Sequence, residues 1–124
     1  MLRIVLAVGI GSFAGGVLRY LVGCALKASS GVFPLATLSV NLIGCLLIGF
    51  VYGLVAKHTA IPRELVLLLA TGFCGGFTTF STFANEGLLL LENHNYWLLG
   101  AYIGLSIAGG VLLVALGYHL ARLF

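Results

Sequence analysis

Between residues 71 and 86 the chain reads Thr71-Gly72-Phe73-Cys74-Gly75-Gly76-Phe77-Thr78-Thr79-Phe80-Ser81-Thr82-Phe83-Ala84-Asn85-Glu86. The side chains able to do chemistry here are the hydroxyls of Thr78, Thr79, Ser81 and Thr82, the rings of Phe80 and Phe83, and one carboxylate, Glu86. Hydroxyls donate without carrying full charge, and phenyl edges present positive potential. Elsewhere, apolar stretches carry Thr37, Asn41, Tyr102 and Ser106, together with a single arginine, Arg19. Neutral donors of this kind suit a small anion that must lose its water and still be released, because a tightly held ion does not conduct. Catalysis has no comparable support: there is no phosphate-binding loop, no nucleophile beside a base and no clustered metal ligands, and His58, His94 and His119 fall at the ends of apolar runs.

These groups need an unusual scaffold. The 124 residues are 61% hydrophobic and only 7% charged, with a mean hydropathy of +1.20; a soluble domain carries about 25% charged residues. The composition specifies an all-α integral membrane protein of one domain, 1–124, with four spans of about 20 residues and short loops. The pI of about 9.0 reports loop cations facing lipid headgroups. Without a basic cluster there is no signal for nucleic acid. Cys24, Cys45 and Cys74 lie in apolar stretches without ligand spacing and read as buried thiols rather than a disulfide framework.

Span 1 is expected at 4–26, too long an apolar run for a signal peptide. Gly11, Gly15, Arg19 and Gly23 recur every fourth residue, a small-residue stripe on which another helix can pack closely. Two readings fit Arg19: its guanidinium reaches the interface, or it attracts anions into a watery vestibule. A polar loop at 27–31 leads to span 2 at 34–56, opened by Pro34. There Thr37, Asn41 and Gly44 share a face, and Gly49 and Gly53 form a small pair. Asn41 suits either an interhelical hydrogen bond or donation to an anion.

Span 3, 64–92, would be roughly 43 Å long as a straight helix, against a hydrocarbon core of about 30 Å. Gly72, Gly75 and Gly76 favour a break near 75–79, and non-helical backbone at such depth is tolerated only beside protein or a watery cavity. A helix restarting at Thr79 puts Thr79, Thr82, Phe83 and Glu86 on one face, with Phe80 beside Phe83 and Ser81 turned elsewhere. Glu86 reads as either a functional carboxylate or an interfacial one. Span 4, 97–121, carries Tyr102 and Ser106 one turn apart, continued by Gly109 and Gly110. Arg3, Lys57, Arg63 and Arg122 gather at the end of the termini, against Lys27 and Arg19 at the other, so the charges lean towards cytoplasmic termini.

Three segments, Gly15-Gly16-Val17-Leu18-Arg19-Tyr20, Asn41-Leu42-Ile43-Gly44 and, above all, residues 72–83, resemble the Fluc (CrcB-type) fluoride channels of microbes. The resemblance implies an antiparallel, dual-topology homodimer with two pores, multi-pass in the plasma (bacterial inner) membrane. It implies passive export of fluoride, protection against fluoride toxicity and exclusion of chloride. By position it makes Phe80 and Phe83 the pore phenylalanines and Asn41 the pore asparagine. It assigns Ser81 and Thr82 to a polar track and Arg19 to the vestibule. Backbone carbonyls of Gly75 and Thr78 from both copies would hold a structural Na+ at the dimer centre. Thr37, Thr79, Tyr102, Ser106 and Glu86 complete the expected anion pathway. Two other classes compete: a small four-span, dual-topology proton-coupled exporter of drugs or cations, which calls for a carboxylate in span 1 where only Arg19 is charged, and an assembly subunit that conducts nothing, for which the donor-lined break has no purpose.

Overall fold

The computed structural model describes residues 1–27 and 31–124, so most of the 27–31 loop lies outside the described residues. Among them every regular element is helical, and four helices are long and apolar enough to cross a membrane: Leu2–Leu26, Leu35–Lys57, Arg63–Glu92 and Tyr96–Ala121. Large apolar side chains cover the outside, as expected where the surrounding solvent is hydrocarbon and burial alone cannot drive association.

What holds the spans together instead is close approach of backbone. Span 1 lies on the first half of span 3: a Cβ at Gly11 would collide with the Leu68 carbonyl and one at Gly15 with the Phe73 carbonyl. Span 2 lies on span 4 in the same manner, Gly49 against the Val114 carbonyl and Gly53 against that of Tyr118. Such contacts exclude any larger side chain and maximise dispersion between helices in lipid. A Cβ at Gly23 would meet nothing within 4 Å among the described residues, so the stripe is a packing surface only over its first part.

Span 3 changes winding along its length. A helical turn at Arg63–Val66 passes into π-helix over Leu67–Cys74, then a short α-turn, Gly75–Phe77. Thr78 (φ −85°, ψ 159°) and Thr79 (φ −150°, ψ 119°) are extended, and helix resumes over Phe80–Glu92. The physical origin differs from the one expected from composition. Gly75 is helical (φ −64°, ψ −36°), and Gly76 is needed because a Cβ there would strike the Ser12 carbonyl. The non-helical residues are the two β-branched threonines, whose side chains are at ease in extended backbone. Span 4 also contains a π segment, Leu105–Gly109. Pro34 precedes span 2 and Pro62 precedes span 3, positions that need no amide hydrogen.

A compact apolar cluster of Leu38, Leu90 and Tyr102, bordered by Phe33, Leu42 and Phe83, joins span 2, the second half of span 3 and span 4. It fixes the three elements that surround the break.

Candidate functional site

The backbone freed at the break is met from three directions. Asn41 reaches across from span 2 and pairs with Thr79 as one peptide pairs with another: the Thr79 N–H donates to Asn41 Oδ1 (2.8 Å) and Asn41 Nδ2 donates to the Thr79 carbonyl (3.1 Å). Arg19 Nε donates to the Gly76 carbonyl (3.1 Å) from span 1. Thr78 turns back on its own helix, its N–H and its hydroxyl both donating to the Cys74 carbonyl (2.9 and 2.8 Å). Thr79 then caps the resumed helix, accepting from the Thr82 N–H (3.3 Å) and donating to the Thr82 hydroxyl (3.0 Å). Its Oγ1 also lies 3.4 Å from that of Ser81. Capping of this kind satisfies amides that begin a helix and contributes about 1 kcal/mol.

Glu86, seven residues beyond the cap, has both carboxylate oxygens occupied. Thr37 donates to Oε1 and the Tyr102 hydroxyl to Oε2, each at 2.8 Å. Thr37 and Tyr102 are buried, so a carboxylate that would be costly alone is held by two hydroxyls, one from span 2 and one from span 4.

Two cavities flank this core. A groove of about 560 Å³ is lined by Asn41, Thr78, Thr79, Phe80, Phe83 and Ser106, with Gly75 on its wall. A second, of about 590 Å³, is lined by Arg19, Lys27, Thr37, Thr79, Thr82 and Glu86. Thr79 borders both. The groove is aromatic as well as polar: Phe80 and Phe83 rings lie 5.8 Å apart, and Phe83 lies 5.0 Å from Tyr102. Phe80 is 79% exposed. The buried Ser106 hydroxyl has no hydrogen-bond partner among the described residues, so this donor remains to be used within the groove wall.

Of the residues singled out by sequence, the structure gathers Asn41, Thr79, Phe80, Phe83 and Ser106 at the groove and Arg19, Thr37, Thr82 and Glu86 at the second cavity. Tyr102 lies behind them against Glu86, and Ser81 lines neither cavity, being exposed beside Thr79. Arg19 lines the second cavity, and its Nε is held by the Gly76 carbonyl at the break. Asn41 spends most of its amide on Thr79, leaving one N–H for another acceptor. The Asn41–Thr79 pairing and the π windings carry no local sequence signature.

The carbonyls of Gly75 and Thr78 suit a hard cation. Neither receives a hydrogen bond among the described residues, since the Thr78, Thr79 and Thr82 N–H groups point to the Cys74 carbonyl, Asn41 and the Thr79 hydroxyl. Both residues border the groove, and Gly75 is exposed with open space beside it. Hard cations gather about six oxygens, so one chain offers part of such a shell.

A family model described as CrcB-like protein, Camphor Resistance (CrcB), matches residues 6–118. Among curated relatives is a protein of Prosthecochloris aestuarii named fluoride-specific ion channel FluC, 46% identical over 97% of this chain and 94% of its own length. Proteins of the same name from Chlorobaculum tepidum and Pseudomonas syringae pv. tomato are 45% and 42% identical, covering 100% and 99% of this chain and 98% and 100% of themselves. A family match from end to end of the membrane region, with relatives this similar over their whole length, means that the chain belongs to the CrcB-like family.

Proposed function

We propose that this chain is a fluoride-selective channel that lets fluoride leave the cell passively. The observation that carries the reading is the meeting of two cavities at Thr79, one headed by the cations Arg19 and Lys27 and the other walled by Phe80, Phe83, Asn41 and Ser106. Arg19 and Lys27 raise the local anion concentration at the entrance. Past Thr79, an ion exchanges water for hydroxyls, the remaining Asn41 N–H and phenyl edges, all donors too weak to trap it. Fluoride, small and strongly hydrogen-bonded, gains most from such donors. Glu86 serves by position: its two hydroxyl ties fix Thr37 and Tyr102 and hold the second half of span 3 against its neighbours.

The working form is an antiparallel, dual-topology homodimer with two pores. Support comes from the face carrying Thr71, Gly75 and Phe80, which is exposed in the single chain although it includes a hydroxyl and bare backbone that lipid does not satisfy. A two-fold partner covers it and brings a second Gly75 and Thr78, so that four carbonyls meet Na+ at the centre. The cation supplies positive charge that ties the two breaks together. Placement in the bacterial inner membrane follows from the same reading.

Liposomes loaded with fluoride and reconstituted with the purified protein test the proposal. Fluoride efflux should be fast, develop a Nernst potential and leave a chloride load in place. Efflux that requires a proton gradient removes it in favour of coupled transport, and absence of efflux removes it in favour of a subunit that conducts nothing.

A further inference from the structure

Asn41 and Gly44 stand one helical turn apart on the same side of span 2, separated by roughly 4.5 Å of rise. Asn41 takes hold of Thr79. Gly44, which is buried, meets the residue before it. A Cβ at Gly44 would run into the γ-methyl of Thr78, while the Thr78 Cβ and Phe77 Cδ1 would lie at ordinary contact distances of 3.6 and 3.7 Å. Other close glycines, such as Gly11, Gly15, Gly49 and Gly117, face backbone carbonyls. Among the glycines where an added Cβ would come within 3.0 Å of another atom, only Gly44 has a side chain as its nearest neighbour.

Thr78 is fixed at both arms of its Cβ. Its hydroxyl and its N–H share the Cys74 carbonyl as acceptor (2.8 and 2.9 Å). With the hydroxyl placed, the chirality of threonine leaves one direction for the methyl, and that direction ends on Gly44. A β-branched side chain held in this way does not swing aside at small cost. Serine would keep the hydroxyl without the methyl, and valine would lose the hydrogen bond.

We infer that Gly44 is a positioning residue for the break. Its bare Cα is the socket for the Thr78 methyl, so that one face of span 2 seats both extended residues, Gly44 against Thr78 and Asn41 against Thr79. Gly44 borders the groove but has no side chain to offer an ion; it acts through the Thr78 carbonyl and the Thr79 peptide. This deepens the channel reading, on which only the consequence for efflux rests.

Moving the methyl from one partner to the other provides the test. Gly44→Ala should cut fluoride efflux by roughly tenfold or more, as overpacking of a close contact implies. It should also speed hydrogen exchange at the Thr79 N–H in detergent, because either Thr78 turns away or span 2 withdraws Asn41. Thr78→Ser alone should cost less, since it keeps the hydroxyl and opens a void of one methyl. In G44A/T78S the added Cβ takes the vacated space, so efflux and Thr79 protection should return to within about threefold of the unaltered chain, as for a volume-conserving exchange. Gly49→Ala, whose methyl meets the Val114 carbonyl, should gain nothing from Thr78→Ser. An unimpaired G44A chain, a double variant no better than G44A, or equal relief of G49A by Thr78→Ser overturns the proposal. A G44A chain too poorly folded to assay still decides, through whether folded yield returns in the double variant. Exchange reads the contact whether or not the chain conducts: an unaltered chain without efflux, whose G44A exchange is relieved by Thr78→Ser, would remove the channel reading and uphold the role of Gly44.

Discussion

At the scale of single residues, Asn41 is the most informative. A carboxamide in hydrocarbon is expensive, and here it completes the hydrogen bonding of a peptide group that has left its helix. Asn41→Ala should therefore destabilise as well as disable. Two buried backbone groups lose partners at about 1–3 kcal/mol each, which thermal unfolding in detergent will register alongside lost efflux. Phe80→Ile and Phe83→Ile should behave differently, cutting fluoride efflux by roughly tenfold or more with unchanged size on gel filtration, since an aliphatic group keeps volume but has no positive edge. Unchanged efflux in both would mean that these rings only pack. Residue types were legible from sequence because a hydroxyl, an amide or a ring in an apolar run announces itself. Their pairings were not, because residues 41 and 79 meet only through the packing of two spans.

At the scale of elements, four spans follow directly from hydropathy, and the interruption of the third follows from its excess length and its glycines. Its exact seat does not. The glycines stay helical, Gly72 and Gly76 so that span 1 can approach, and the extended residues are Thr78 and Thr79, held by contacts with Cys74 and Asn41 while Arg19 takes the Gly76 carbonyl just before them. Tertiary hydrogen bonds, rather than local propensity, decide where the winding stops. Thr79→Ala should thus cost about 1 kcal/mol through the lost cap and raise amide exchange in the first turn after residue 79, without melting the first half of span 3. Gly15→Ala tests the opposite side. Its methyl group would enter the Phe73 carbonyl, and a core overpacking of 1–3 kcal/mol or more should appear as lower folded yield with span 3 displaced.

At the scale of the whole molecule, the proposed dimer rests on one face of the single chain. Thr71, Gly75 and Phe80 point outward from the middle of a lipid-crossing element, and the carbonyls of Gly75 and Thr78 accept no hydrogen bond among the described residues. Replacement of Na+ by a large organic cation throughout purification should weaken the dimer, read as a concentration-dependent shift towards single chains on gel filtration and lost efflux. A dimer equally stable in both salts would separate assembly from the cation. Composition signalled the membrane and the charge asymmetry of the loops, but an assembly of two copies leaves only an indirect trace in one sequence, as polar atoms on a surface that lipid cannot serve.

The outward ring of Phe80 has a genetic corollary. In the proposed homodimer, a ring that faced the partner would make each molecule accountable for a route it does not own. In a cell producing sound and defective versions in equal amount, random pairing leaves only about a quarter of assemblies with two sound members. A faulty allele would then poison the wild-type product, not merely fail to add to it.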